Sequence, residues 1–287
     1  MICCPRALAR FLPKSTPMTD AGARGALAGL RVLVTRPRGQ SAGLVALIEK
    51  CGGTAIRFPV IDILPVHEPG AARLALASLD GFDRVIFVSP NAVEHGLALM
   101  DGANGRQTRA ALMAVGASTA AALTRAGFNA VLCPDGSASS EALLALPELQ
   151  GDGLAGSRIL IVRGEGGREL LGATLSERGA RVQYAEVYRR ARPTTDGSEL
   201  AHRGRHGGID TIVITSVQGL ENLFALLGEG AIGWLRKAGY VVASERLAAR
   251  VHAMGIVDPS VIAAGADDEA LIEALIRWRE THPDNGN

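Results

Sequence analysis

Tyr188 is the side chain in this sequence that is best suited to acid chemistry. It lies in the run Ala185-Glu-Val-Tyr188-Arg-Arg190, and a third arginine follows at position 192. A phenol can donate a proton to a leaving hydroxyl, and nearby cations stabilise the phenolate that remains. The same pattern also fits a strand tyrosine that packs its ring and exposes its hydroxyl to water. Both interpretations stay open from the residues alone.

Ser89 and Ser216 begin segments that are typical of helix N-termini. Each follows a short β-branched run and precedes a glutamate, at positions 94 and 221. A serine at this place accepts hydrogen bonds from the first amides of the helix, so capping is the simpler interpretation. A capped helix still directs other backbone N–H groups outward, and these can bind an anion.

Arg36 and Arg163 occupy matching places, 127 positions apart, each after a β-branched run. They are either bidentate ligands for a carboxylate or solvated arginines near a helix cap. The glycine-rich stretch Gly164–Glu169 puts Glu169 where a dinucleotide-binding fingerprint needs its third glycine, and no GxxxxGK[ST] motif occurs. The sequence therefore does not predict NAD or ATP binding.

Other candidate binding residues end similar runs, where ligands bind in open parallel sheets. They are Asn91, Gly116, Ser118, Thr119 and Ser244. No metal site is expected, because His202 and His206 lie in a glycine-rich stretch with no carboxylate motif. Nucleophilic hydrolysis has little support, because no GxSxG elbow is present.

A long internal repeat must position these residues. Four segments of the first half match four of the second half in the same order, 127 or 128 positions further on. Such a period is too long for a solenoid unit and indicates a duplicated domain. The matching pairs are Arg31–Arg36 with Arg158–Arg163, Asp83–Ser89 with Asp210–Ser216, Val115–Thr119 with Val242–Arg246, and Ser140–Leu143 with Asp268–Leu271.

Each copy alternates short β-branched runs with segments rich in alanine and leucine. This predicts an α/β fold with two similar doubly wound lobes, whose parallel strands are covered by helices. The repeat by itself favours consecutive lobes divided near Gly151–Gly156. The proline-bounded run Pro59–Val66 suits a connector or an edge strand, and Thr194–Gly208 is predicted to be an exposed loop.

The composition excludes several classes of partner. The 287 residues carry a formal net charge of +1, so binding to nucleic acid or to an acidic membrane surface by overall charge is not expected. No apolar run approaches the ~18 residues of a membrane span. Cys51 and Cys133 form no CxxC pair, so a reducing cytoplasm is expected. Residues 1–27 lack the apolar centre of a secretory signal and are expected to be a disordered extension, within which Met18 is a plausible initiator.

In combination, these motifs resemble those of the uroporphyrinogen-III synthase family. The resemblance spans residues 28–277 and depends on the order and spacing of motifs that are individually loose. The segments that carry it are Val32-Leu-Val-Thr-Arg-Pro37, Phe87–Val93, Val115-Gly116 with Thr119, Leu160–Gly164, Val187–Arg190 and Ile214–Ser216.

The resemblance implies a cofactor-free lyase without a metal. Such an enzyme cyclises hydroxymethylbilane, with loss of water and inversion of ring D, to give uroporphyrinogen III. The family's fold implies that 28–58 and 194–287 form lobe 1, that 71–181 form lobe 2, and that 59–70 and 182–193 are a pair of connecting strands. The residues alone leave a second hypothesis, a non-catalytic two-lobed protein that binds a small anion.

The resemblance also implies roles for single residues. Tyr188 matches the family's tyrosine beside the cleft and is expected to donate a proton. Thr119 matches a polar threonine of the cleft, and Ser244 is a loose match to the polar residue of the other lobe. The carboxylates of the substrate are expected to meet helix N-termini together with Arg36 or Arg163. A cytoplasmic monomer is expected, with hydroxymethylbilane synthase as a protein partner.

Overall fold

The computed structural model describes residues 25–100, 108–136, 138–256 and 260–283. Most of the extension predicted over 1–27 lies outside the described residues. Leu27, at its end, is fully buried, and its N–H donates to the carbonyl of Cys51 at 2.9 Å. The folded part of the chain therefore already includes Leu27.

Ten strands and eleven α-helices alternate along the described residues. The strands are β1 (Arg31–Val34), β2 (Thr54–Arg57), β3 (Asp62–Pro65), β4 (Arg84–Phe87), β5 (Ala111–Ala114), β6 (Arg158–Gly164), β7 (Arg181–Ala191), β8 (Thr211–Ile214), β9 (Gly239–Val242) and β10 (Val261–Ile262). The helices are α1 (Ala42–Lys50), α2 (Gly70–Ala77), α3 (Pro90–Leu99), α4 (Ala117–Arg125), α5 (Ser140–Leu144), α6 (Leu170–Glu177), α7 (Ser198–Arg205), α8 (Val217–Leu227), α9 (Ile232–Leu235), α10 (Glu245–Ala253) and α11 (Asp268–Thr281).

The chain divides into two compact units, each with its own five-stranded sheet. The first unit takes the chain up to Val60 and again from Thr194, with strand order β10-β9-β8-β1-β2. The second unit is Ile61–Pro193, with order β3-β7-β6-β4-β5. All described pairs are parallel except β3 with β7. The predicted α/β fold with parallel sheets is confirmed.

Each sheet combines strands from both copies of the repeat, so the consecutive division near Gly151–Gly156 is wrong. Strand β1 of the first copy pairs with β8 of the second, and β6 of the second copy pairs with β4 of the first. The residues expected as connecting strands contain β3 and most of β7, which pair with each other at one edge of the second sheet. The proline-bounded run is thus an edge strand, as its prolines allow.

Alternation along β6 shows how the second unit is layered. Leu160 and Val162 pack in one apolar cluster, whereas Ile159 and Ile161 pack in another. Because successive side chains of a strand point to opposite faces, the two clusters cover the two faces of the sheet. All four residues are at most 1% exposed, which explains a continuous rather than alternating apolar run.

The loop predicted over Thr194–Gly208 is wrong, because this segment contains helix α7. Leu200 and Ala201 are buried on one side of that helix. A β-carbon on Gly204 would lie 2.3 Å from the indole of Trp234, so the glycine permits close packing. The buried residues of this helix are few and are surrounded by polar residues, so the sequence pattern is typical of a loop. No helix of the described residues is both long enough and apolar enough to cross a bilayer.

Candidate active site

A bulge at the end of the β6–β7 pair sets the position of Tyr188. Arg163 pairs with Glu186, but the next residue, Gly164, pairs with Tyr188, so β7 contains one extra residue, Val187. A bulge of this kind turns a side chain relative to the regular ladder. The result is that the Tyr188 ring faces Gly164, and the residue is only 1% exposed.

The hydroxyl of Tyr188 has two polar partners. It lies 3.3 Å from Oγ of Ser89 and accepts a hydrogen bond of 3.2 Å from the guanidinium of Arg190. The His95 ring lies beside it, with ring centroids 5.7 Å apart. Of the three arginines near this tyrosine, Arg190 shares its face of β7, whereas Arg189 points to the opposite face. The interpretation of Tyr188 as a strand residue with a water-exposed hydroxyl is wrong, because the residue is buried.

Ser89 caps helix α3 directly after strand β4. Its extended backbone lets its Oγ accept the N–H of Ala92 at 3.1 Å, and Pro90 occupies the first helical position. The predicted cap is confirmed. Only β6 lies between β4 and β7 in the sheet. The N-terminus of α3 and the Tyr188 side chain therefore meet at the carboxyl ends of these parallel strands.

A second helix N-terminus lies at the end of the neighbouring strand. Gly116 precedes α4 with an extended φ of −164° and is buried. Thr119, in the first turn, is 3% exposed, whereas Ser118 beside it is exposed. Asn91, in the first turn of α3, is half-buried. Since β4 and β5 are parallel neighbours, both helix N-termini lie at the same edge of the second sheet.

Arg163 is held by two carboxylates of the same unit. Its guanidinium is 2.8 Å from Glu169 and 3.1 Å from Glu186, and it stacks on the Tyr184 ring at 3.8 Å from the centroid. Burial by itself lowers the pKa of Arg163, but the hydrogen bonds and charges of the two glutamates outweigh it and raise that pKa. The arginine bond and the Tyr184 hydroxyl lower the pKa of Glu169. A substrate carboxylate would have to compete with these partners.

Arg36 has a similar arrangement in the first unit. Its guanidinium forms an ion pair with Asp268 and donates to the carbonyl of Ala266. Asp268 is the first residue of helix α11. Both arginines of the repeat are therefore paired with the protein's own acceptors.

Ser216 and Ser244 cap helices α8 and α10 in the first unit. Ser216 accepts the N–H of Gly219 at 3.0 Å, and Ser244 accepts the N–H of Leu247 at 3.3 Å. The caps follow β8 and β9, which are parallel neighbours, so both lie at one edge of the first sheet. The predicted cap at Ser216 is confirmed. Ser244 is exposed.

Among the residues that the structure describes, no group of three or more histidines, cysteines, aspartates or glutamates is arranged to hold a metal ion. His202 lies in α7 rather than in a loop, and the rings of His202 and His206 are 4.2 Å apart. The Nδ1 atom of His206 is 2.8 Å from the carbonyl oxygen of His202.

The local sequence indicates Arg190 as a cation near Tyr188, but it does not indicate His95 or Gly164 as parts of this site. Strand alternation further places Arg190 on the same face as Tyr188, because residues two apart share a face and Arg190 is two positions after Tyr188. His95 and Gly164 reach the tyrosine from a different helix and strand, so no local pattern reports them.

The fold and these residues define a class, a two-unit α/β protein whose polar residues gather at the carboxyl ends of parallel strands. A family model described as uroporphyrinogen-III synthase HemD matches residues 42–273. The chain belongs to the uroporphyrinogen-III synthase family, whose members are cyclising lyases of tetrapyrrole biosynthesis.

Relatives agree with this membership over their whole length. The chain is 39% identical to the uroporphyrinogen-III synthase of Salmonella typhimurium, covering 86% of this chain and 100% of the relative. It is 36% identical to that of Escherichia coli, with 86% and 100% covered. Among solved structures, a mutant uroporphyrinogen III synthase from Thermus thermophilus shares the fold, with 22% identity, a TM-score of 0.56, and 88% and 99% covered. The Helicobacter pylori protein has 16% identity, a TM-score of 0.55, and 87% and 100% covered.

Proposed function

We propose that this chain converts hydroxymethylbilane to uroporphyrinogen III and that Tyr188 is its proton donor. The observation that carries the proposal is a buried tyrosine whose hydroxyl is held by Ser89 and Arg190. General acids act through a hydroxyl that is held in a fixed position within reach of the leaving group.

The chemistry needs little from the protein apart from this proton. When the C–O bond of the hydroxymethyl group breaks, its electron pair stays on oxygen, which takes the Tyr188 proton and leaves as water. The pyrrole nitrogen lone pair supplies the electrons that make the azafulvene cation. Attack by the substituted carbon of ring D then gives a spiro intermediate, and this requires the open chain to be held in a bent conformation.

The substrate carboxylates are proposed to bind at helix N-termini, where N–H groups and the helix dipole favour anions. The residues proposed for this purpose follow strands β4, β5, β8 and β9. They lie at the carboxyl ends of parallel strands in each of the two sheets. Arg36 and Arg163 are proposed as secondary partners, which exchange an internal carboxylate for one of the substrate. The proposed contacts are Ser89, Asn91, Gly116, Ser118, Thr119, Ser216 and Ser244.

The test is the ratio of isomers formed from enzymatically generated hydroxymethylbilane. Wild-type protein should yield the type III isomer, whereas the symmetric type I isomer alone would reject the proposal. Tyr188→Phe should lower the rate of type III formation by roughly 100-fold, at the lower end for general acid catalysis. Tyr184→Phe is the matched control, because it removes a phenol from the same strand that bonds only to Glu169 among the described residues.

The same assay tests the second hypothesis, that of a non-catalytic protein that binds a small anion. A non-catalytic anion-binding protein would retain hydroxymethylbilane without changing the isomer ratio.

We also propose that the protein is a monomer in a reducing cytoplasm. We further propose that hydroxymethylbilane synthase supplies its substrate, because hydroxymethylbilane loses its hydroxyl readily in water. Light scattering of the purified protein tests the monomer, and co-purification of the two enzymes tests the supply.

A further inference from the structure

The Tyr188 oxygen lies within hydrogen-bond distance of two polar groups, the guanidinium of Arg190 and the hydroxyl of Ser89. A guanidinium has no acceptor, so the 3.2 Å bond from Arg190 makes the phenol oxygen an acceptor. The Ser89 Oγ already accepts the N–H of Ala92, which leaves its own hydrogen able to point at Tyr188 across 3.3 Å. When Ser89 and Arg190 both donate to the phenol oxygen, the proton of Tyr188 points away from them and toward another acceptor.

We propose that Ser89 and Arg190 are positioning residues that stabilise the phenolate of Tyr188 after it gives up its proton. This inference rests on the proposed function. In the step concerned, the Tyr188 O–H bond breaks as the C–O bond of the substrate breaks, water leaves, and the negative charge stays on the phenol oxygen. The proton that the substrate releases when its last pyrrole becomes aromatic again restores the phenol, so the cycle balances.

Burial explains why such donors are needed. Tyr188 packs in an apolar cluster, and the strand beside it, β3, places Pro65 directly opposite Tyr188 and Ile63 opposite Arg190. A phenolate in such surroundings is costly unless charge-assisted hydrogen bonds compensate it. Arg190 is itself exposed, so its charge remains solvated when the tyrosine is neutral. The arrangement resembles preorganised donors aimed at a developing oxyanion.

The groups that face the phenol also define the pH experiment. On its own strand the charged neighbour is Arg190, and from helix α3 the titratable neighbour is His95, with ring centroids 5.7 Å apart. Strand β3 places the apolar residues Pro65 and Ile63 opposite Tyr188 and Arg190, and its one charged residue, Asp62, pairs with Ala191. His95→Gln is therefore the control that separates a contribution of the imidazole from that of Arg190.

The test compares kcat against pH for wild type, Arg190→Gln and Arg190→Lys. Loss of the cation should lower kcat for type III formation near neutral pH about tenfold, the value of one charge-assisted bond. It should also move the alkaline loss of activity to higher pH, because the phenol ionises less readily. Arg190→Lys should restore most of both properties. Arg192→Gln removes the same charge from an exposed position beyond the strand and should change neither.

Absorbance of phenolate in the ultraviolet gives a readout without turnover. The chain has three tyrosines, and subtracting the titration of Tyr188→Phe from that of the full-length protein isolates the Tyr188 signal. That signal should move to higher pH in Arg190→Gln and stay in place in His95→Gln. An unmoved signal, or a lower kcat with an unmoved alkaline limb, overturns the inference. Full activity of Tyr188→Phe would instead show that Tyr188 is not the proton donor, which would contradict the proposed function.

Discussion

A β-carbon on Gly164 would lie 2.6 Å from the Cε2 and Cζ atoms of Tyr188. Carbon atoms in contact stay about 3.5–4.0 Å apart, so the ring occupies space that only a glycine leaves free. The close approach occurs where β7 carries its extra residue opposite β6. Gly164 and the bulge therefore decide together where the phenol lies.

Gly164→Ala is expected to displace the Tyr188 ring. Because small misplacements of a catalytic group are costly, the rate of type III formation should fall roughly 100-fold. Overpacking should also lower the free energy of unfolding by about 1–3 kcal/mol. Gly167→Ala is the control, since its β-carbon would meet its nearest neighbour at 3.4 Å. A stable Gly164→Ala variant with wild-type rate would show that the ring position is not needed.

Ser89→Ala should affect stability and turnover separately. The loss of the cap should lower the free energy of unfolding by about 1 kcal/mol. The loss of the donor to Tyr188 should in addition reduce kcat. Ser139→Ala removes an equivalent cap, which accepts the N–H of Ala142 at 3.0 Å, and should reduce stability alone. Denaturant titration measures the loss of stability, and the isomer assay measures the rate of type III formation. A kcat of Ser89→Ala equal to that of wild type would contradict the role of Ser89.

Asp210→Ala should destabilise the first unit. Asp210 accepts the backbone N–H of Arg31 at 2.7 Å and pairs with its guanidinium at 2.6 Å. The loss of an acceptor that is 6% exposed should cost about 2 kcal/mol. Trp234 and Trp278, the only tryptophans of the chain, belong to this unit, so their fluorescence reports its unfolding.

Asp83→Ala is the matched control for that experiment. Asp83 occupies the corresponding position in the second unit, where it accepts the backbone N–H of Arg158 at 2.8 Å. Because this unit contains no tryptophan, the fluorescence transition should stay unchanged. A shift as large as that of Asp210→Ala would mean that the two units do not unfold independently.

Tyr184 should make the protein less stable at alkaline pH. Burial, together with the hydrogen bond to Glu169, raises the pKa of Tyr184. A raised pKa means that the folded state favours the neutral phenol. Its contribution is therefore complete below the ordinary value near pH 10 and is lost as pH rises through the higher folded value. Tyr184→Phe should flatten the fall in unfolding free energy above about pH 10, and an unchanged slope would contradict this assignment.

Part of the alkaline slope should remain in that variant. Burial also raises the pKa of Tyr240, whose hydroxyl donates to the carbonyl of Leu235 at 2.9 Å. The same sign argument applies, so stability is lost as pH rises above the ordinary tyrosine range. Tyr184→Phe and wild type compared over the same pH series separate the two contributions.

Local patterns in the sequence are enough to predict several of the strands and the helix caps that follow them. The β-branched runs at Val32 and Val85 predict strands, and the Ser89 cap is readable because its partner, Ala92, is three residues away. Tyr188 and Arg190 could be paired from strand alternation alone. These features depend on neighbours within a few positions of the chain.

Other features depend on partners that are distant in the chain. Arg163 pairs with Glu169 six residues away, but its second carboxylate, Glu186, is 23 residues away on the next strand, so a local pattern does not reveal that pair. Helix α7 is stabilised by the approach of Gly204 to Trp234, and the sequence around it is typical of a loop. Gly164 likewise contacts the Tyr188 ring from a different strand, so no local pattern predicts this contact.

The sequence by itself determined that the chain is a duplicated α/β protein with a tyrosine among arginines. Only the tertiary structure decided that the two copies exchange halves, with Asp210 bound to Arg31 and Asp83 bound to Arg158. The physical reason is that both copies present equivalent strand edges and equivalent aspartates. A strand can then complete its ladder with either copy, and the pairing is chosen by the whole packed unit rather than by any local segment.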